Sequence, residues 1–184
     1  MSEQVVEKKK EPGMATLVLV LFSICLVCSL LLGCVNFITA PKIAAAQAAK
    51  AAAAMAAVLP ADSYEKVEYT GSDANVVSVN KAGDAGYVVE VTCPGSFSGT
   101  LTAMVGVGSD GNITGVEITK TSETSGLGAN AGKDYFKSQF VGGPGPFSVT
   151  KDGGTINALT GATISSRAVS NGVNSAVEAV KSLG

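Results

Sequence analysis

Near the C-terminus, the run Asn157-Ala158-Leu159-Thr160-Gly161-Ala162-Thr163-Ile164-Ser165-Ser166-Arg167 gathers four hydroxyl side chains around a Gly-Ala step, directly before a segment with helical periodicity. A helix start carries unpaired N–H groups and the positive end of the helix dipole, so a turn of this kind favours an anion such as phosphate. Thr163 stands at that start, and Gly161 and Ala162 before it leave little side-chain bulk to shield its hydroxyl. The chemistry on offer is an anion site with an acceptor hydroxyl inside it. The competing reading of the same residues is an ordinary N-cap. Ser165 and Ser166 divide between capping the helix and binding phosphate, and Arg167 between pairing with that charge and a solvated surface position.

Composition removes many other mechanisms. The 184 residues include no His and no Trp, which excludes imidazole bases, Ser-His or Cys-His nucleophiles and His-containing metal sites. Chemistry must come from a bound cofactor or from carboxylates and hydroxyls. Beyond Pro60 there are twelve acidic and eight basic residues, the wrong sign for a nucleic-acid partner. Asp110 and Asn112 read as a turn, because the other carboxylates of a calcium loop are missing.

The elements that carry this site follow from patterning. Residues 14–38 hold no charged side chain over 25 positions, enough to cross about 30 Å of hydrocarbon. Lys8, Lys9 and Lys10 precede the span, and Lys42 and Lys50 follow it, a bias that puts the N-terminus inside. The apolar run exceeds a signal-peptide core. Leu31-Leu32-Gly33-Cys34 approximates a lipoprotein signal, but Val35-Asn36-Phe37-Ile38 continues as membrane helix. A pilin-like start at Gly13-Met14 lacks its glutamate, since Val18 stands there. Cys25 and Cys28 share a helix face, where close packing explains them more simply than a metal site.

Residues 43–59 are mostly Ala between Pro41 and Pro60, predicting a helix that continues the span or follows it, either as a stalk or as a packing surface. Strands are predicted at 86–92, 99–107 and 112–120 in a half-buried sheet, then a Gly-rich loop at 123–129. A helix is expected at 128–141 with Tyr135, Phe136 and Phe140 inward, and a hairpin joins 147–150 to 155–157 around Lys151-Asp152-Gly153-Gly154. The final helix, 164–183, presents Ile164, Ala168, Val169, Val173, Ala176, Val177 and Val180 on one face. The fold class is α+β: a transmembrane helix plus an Ala-rich helix, then a compact antiparallel-sheet domain with a C-terminal helix. The expected divisions are a tail at 1–13, the span at 14–38, the stalk at 39–60 and the domain at 61–184.

Leu159-Thr160-Gly161-Ala162-Thr163 resembles the Ser/Thr-Gly-Ala-Thr flavinylation motif of the FMN-binding domain. That domain occurs in the G subunit of Rnf electron-transport complexes and in the C subunit of sodium-pumping NADH:quinone reductases. Ser122-Glu123-Thr124-Ser125-Gly126-Leu127-Gly128-Ala129 is similar to the family's second motif, Glu-Thr-Pro-Gly-Leu-Gly. Two positions depart from the pattern: Asn157 stands where an acidic residue is usual, and Ser125 replaces the Pro. The resemblance implies FMN joined through its phosphate to Thr163, with Thr160, Gly161, Ala162, Ser165 and Ser166 beside it and Glu123, Thr124, Gly126, Leu127 and Gly128 forming a wall. It implies an electron-carrying G-type subunit of an ion-translocating ferredoxin:NAD oxidoreductase, without independent catalytic activity. Implied partners are the other Rnf-type subunits, a flavin transferase and the lipid bilayer. The implied location is the cell (inner) membrane, with the N-terminus cytoplasmic and the FMN domain extracytoplasmic. A C-type quinone reductase subunit and a membrane-anchored scaffold module are the other readings.

Overall fold

The computed structural model describes residues 13–99 and 101–183, so Lys8, Lys9 and Lys10, and with them most of the expected tail, lie outside the described residues. The described residues divide into two units, one up to Gln47 and a compact one from Ala48 onward. The expected span and the Ala-rich helix are one element, α1 (Met14–Val58), with Pro41 inside it. Proline has no N–H to offer the Phe37 carbonyl one turn back, but the leucines and alanines on either side all favour helix. Pro60 ends the run, and the helix stops at Val58.

In the first unit the helix exposes apolar side chains such as Leu19, Phe22, Leu30 and Leu32. A helix apolar on every side has no single face to bury against a protein core, and this one is long and apolar enough to cross a membrane.

The second unit is built on an antiparallel meander of β1 (Glu65–Val67), β2 (Val76–Lys81), β3 (Gly86–Thr92), β4 (Leu101–Gly108) and β5 (Ile113–Thr121), in sequential order. β1 and β2 went unpredicted, being short or only partly buried. Valines set the register through the middle, with Val89 opposite Val105 and Val105 opposite Val116. Val89, Val91, Ala103, Val105 and Val107 point to one face and meet Ala168, Val169, Val173, Ala176 and Val177 of α3 (Thr163–Lys181). Cys93 joins this core, and burial pushes its thiol up to about 12.

The central strands are not half-buried as expected. Val88 and Met104, on the opposite face, pack with Ala54 and Val58 from the C-terminal end of α1 and with Leu59 just beyond it. The backbones approach closely there: a Cβ on Gly115 would lie 2.8 Å from Val58 Cα, and one on Gly106 would lie 2.5 Å from the Val58 carbonyl oxygen. That carbonyl, left without an intrahelical donor at the helix end, accepts the Thr114 hydroxyl at 2.6 Å.

Two further expectations change. The helix predicted over 128–141 is broken into a 3₁₀ turn (Gly128–Gly132), the single α-turn α2 (Asp134–Lys137) and another 3₁₀ turn (Ser138–Phe140). The break rotates Tyr135 outward while Phe136 and Phe140 stay buried, stacked edge-to-face with a 5.5 Å centroid separation. The predicted hairpin is instead a tight loop whose flanks meet at a parallel bridge, Val149 to Ile156, around a 3₁₀ turn at Thr150–Asp152.

Gly115→Ala forces Val58 backbone to shift, because the clash is with main chain and not with a movable side-chain tip. Denaturant unfolding of the full chain in detergent is expected to show a loss of about 1–3 kcal/mol. An unchanged midpoint would mean that the helix end is not seated on this glycine.

Candidate functional site

Leu101 pairs with Thr121, so the loop entering β4 and the segment leaving β5 emerge side by side. The first carries Phe97 and Ser98; the second carries Glu123, Thr124, Leu127 and Gly128. The N-terminus of α3 closes the third side and the Lys151 turn the fourth. Together they enclose a cavity of about 350 Å³ lined by Phe97, Glu123, Leu127, Lys151, Thr163 and Ser165, among others.

Glu123 forms the polar part of this wall. It is only 8% exposed, and Oε1 accepts the Ser98 N–H at 3.0 Å and the Ser98 hydroxyl at 2.9 Å. Oε2 accepts the buried Ser165 hydroxyl at 2.7 Å. Burial by itself pushes the carboxyl pKa up, but the Ser98 and Ser165 bonds, with a further one from the Phe97 N–H, outweigh it and hold the group below the usual carboxylate value. Gly128 packs against this pair: a Cβ there would collide with the carboxylate and approach the Ser165 hydroxyl to 2.6 Å. The glycine of the second motif therefore makes room for a buried carboxylate.

At the helix start, Gly161 has φ of 73°, a left-handed conformation that a side chain would strain, and turns the chain into α3. Ala162 is the N-cap and contributes no side-chain oxygen, and the first backbone bond into the turn is from Ser166 N–H to the Ala162 carbonyl. The N–H groups of Thr163, Ile164 and Ser165 thus have no acceptor among the described residues, the arrangement that suits an anion. The Thr163 hydroxyl lies at this open end, 3.4 Å from Lys151 Nζ.

The structure sorts the residues singled out from sequence. Gly161, Ala162, Thr163, Ser165, Glu123, Thr124, Leu127 and Gly128 line the one cavity. Thr160 and Gly126 line a neighbouring groove with Tyr135, Gln139 and Asn157, divided from the cavity by Leu127. Ser166 reaches neither: its buried hydroxyl accepts the Leu159 N–H at 2.9 Å and donates to the Ala162 carbonyl at 3.0 Å, tying the motif to the helix beneath it. Arg167 is a solvent-exposed surface residue, one of the two readings the sequence left open, and its fork is engaged there: Nε and Nη2 each donate to Asp152 at 2.6 Å. Ile164, expected in the core, is half exposed and lines the cavity. Sequence reasoning missed Phe97, Ser98 and Lys151. Phe97 is a large aromatic 73% exposed at the cavity, and an unexplained aromatic in a Gly/Ser-rich loop was the available signal.

The sequence profile of the FMN-binding domain matches residues 96–178, which contain every cavity residue. The chain is 42% identical to the G subunit of the ion-translocating oxidoreductase complex of Methanosarcina acetivorans, over 73% of this chain and 77% of the relative. It is 35% identical to the G subunit of the proton-translocating ferredoxin:NAD(+) oxidoreductase complex of Clostridium ljungdahlii, over 85% of each chain. With the G subunit of the Na(+)-translocating ferredoxin:NAD(+) oxidoreductase complex of Acetobacterium woodii it shares 36% identity over 53% of this chain and 50% of that one. The cavity fits FMN in its chemistry. Open N–H groups and Lys151 stand at one end for a phosphate, Phe97, Leu127 and Ile164 offer apolar surface for a flat ring, and the volume falls within the range of about 300–1,000 Å³ usual for small-molecule sites.

Removing the carboxylate leaves the buried Ser165 hydroxyl without its acceptor, while the exposed Ser98 can turn to water, so Glu123→Ala is expected to cost about 1–3 kcal/mol in denaturant unfolding near neutral pH. A depressed carboxyl contributes its stabilisation in full above its unfolded value, near 4.5, and loses it as pH falls through the lower folded value. The stability gap between wild type and Glu123→Gln should therefore narrow below pH 4.5, and a gap independent of pH would show that the charge contributes nothing.

Proposed function

This chain belongs to the G subunits of ion-translocating oxidoreductase complexes, and from that premise we propose that it carries FMN as a phosphoester on Thr163, on the extracytoplasmic side of the membrane. It is a membrane-anchored electron-transport protein with an FMN-binding domain, and it works within a complex of several subunits. Membership of that family favours the G-type reading over the C-type reading and the scaffold.

The observation that carries the covalent reading is the Thr163 hydroxyl at an uncapped helix start, inside the cavity and beside a lysine. Forming a phosphodiester from FMN by expelling water is uphill in water, so the donor is a flavin nucleotide activated as a phosphoanhydride, delivered by a flavin transferase. The Thr163 oxygen bonds to phosphorus, its proton goes to a base, and the other half of the anhydride leaves with the bonding pair. Relative to the free cofactor the adduct is FMN less one water. When bound, FMN supplies the one- and two-electron chemistry that the side chains lack. The residues of this chain would hold it: the Thr163–Ser165 N–H groups are free to bind the phosphate, and Phe97, Leu127 and Ile164 would give the ring an apolar surface. A tether at Thr163 keeps the local flavin concentration high without tight ring binding, which leaves the ring free to meet a donor and an acceptor in turn.

Ion movement falls to other subunits. Residues 14–38 contain no charged side chain to relay a proton or coordinate sodium, and the relatives include complexes named for each ion. The N-terminal lysines support the cytoplasmic placement of the N-terminus.

Intact-mass measurement of the protein purified from its own membranes should show a gain of one FMN less one water, with in-gel fluorescence that survives denaturation. Thr163→Val should abolish both while leaving the fold intact, since the residue is half-buried at a helix start. Flavin retained on the valine variant would move the linkage elsewhere.

A further inference from the structure

We propose that Lys151 holds the flavin phosphate at Thr163, and that Arg167, the other cation at this end of α3, fixes the turn from which Lys151 reaches. The assignment rests on the phosphoester reading and gives its electrostatics to one residue.

Lys151 lines the cavity, and its hydrogen bond in the structure is to the Thr163 hydroxyl at 3.4 Å. An ammonium is a compact charge with three donors, so it can keep that contact and add bonds to phosphate oxygens attached to the same Thr163 oxygen. Arg167, one turn further along α3, has its planar fork occupied by both oxygens of Asp152 at 2.6 Å. Giving it to the phosphate would strand the Asp152 carboxylate beside a new anion. Glu123 also lines the cavity, carries negative charge and repels phosphate. Of the charged side chains that line the cavity, Lys151 has the right sign, and among the described residues no carboxylate is in salt-bridge contact with it, its neighbour Asp152 being paired with Arg167.

The backbone supports this placement. Lys151 is the middle residue of the 3₁₀ turn Thr150–Asp152, and the Asp152–Arg167 pair pins that turn to α3. The flanks are held by Thr150 N–H to the Ile156 carbonyl at 2.9 Å and by Ile156 N–H to the Ser148 carbonyl at 3.1 Å. The lysine thus projects from a fixed turn. A flexible hairpin tip would leave the direction of its charge undefined.

The test uses the full chain purified from its own membranes, with Lys151→Gln, Lys151→Arg and Arg167→Gln, read by intact mass for the fraction carrying flavin and by the phosphorus-31 resonance of the adduct. Loss of one charge-assisted contact to the phosphate as it is transferred predicts loading about tenfold slower in Lys151→Gln, read as a lower loaded fraction at equal expression time, with recovery in Lys151→Arg. The resonance of the remaining adduct should move in Lys151→Gln, return toward wild type in Lys151→Arg and move by less in Arg167→Gln, which loosens the turn but leaves the lysine charge in place. Wild-type loading and an unmoved resonance in Lys151→Gln would overturn the assignment, as would a shift seen with Arg167→Gln alone. A wild-type chain without any adduct would overturn the phosphoester reading itself, and this assignment with it.

Discussion

The buried carboxylate of Glu123 is the constraint on which the cleft depends. An anion removed from water must be met by donors, and these come from Ser98, 25 residues before it, and from Ser165, 42 residues after it. The first belongs to the loop that carries Phe97, the second to the first turn of α3. One side chain therefore fixes the apolar wall and the anion-binding helix start relative to each other. Gly128 completes the arrangement by leaving out the Cβ that would occupy the same space.

That junction divides the cavity into ends of different character. At the α3 end, unpaired N–H groups and Lys151 present positive potential to an anion. Around the remainder, Phe97, Leu127 and Ile164 present large apolar side chains, each exposed beyond what a folded core would leave. A ligand with a charged tail and a flat apolar head suits both. The same sheet carries the C-terminal end of α1 on its other face, seated over Gly106 and Gly115 and closed by the Thr114 hydroxyl. Covering both faces makes β3 and β4 the most enclosed strands of the unit, a rigid base for loops that must hold their geometry.

Where sequence patterns were strong, they corresponded to local physics. A charge-free run of leucines and valines can only be a helix in an apolar phase, and the periodic valines and alanines of α3 can only face one core. Strands β3, β4 and β5 were legible from β-branched residues and a tight turn at 109–112. Errors arose where local signals were balanced. Residues 128–141 mix glycine with aromatics, and packing of Phe136 and Phe140 broke the expected helix, while Val149 and Ile156 preferred a parallel bridge to a hairpin. Ile164 matched the helical period but sits where the cavity opens.

Sequence alone determined the anchor, the α+β order of elements, the hydroxyl at a helix start and, through two short motifs, the family. These are properties of contiguous residues, and contiguous residues interact whatever the rest of the chain does. Only the tertiary structure decided that Glu123 binds Ser98 and Ser165, that Arg167 belongs to Asp152, that Lys151 reaches Thr163 and that Phe97 borders the cavity. Those partners lie 12 to 42 residues apart. Charge and hydrogen bonding are set by distance in space, and the folding of the sheet and α3 is what brings such groups within about 3 Å of one another.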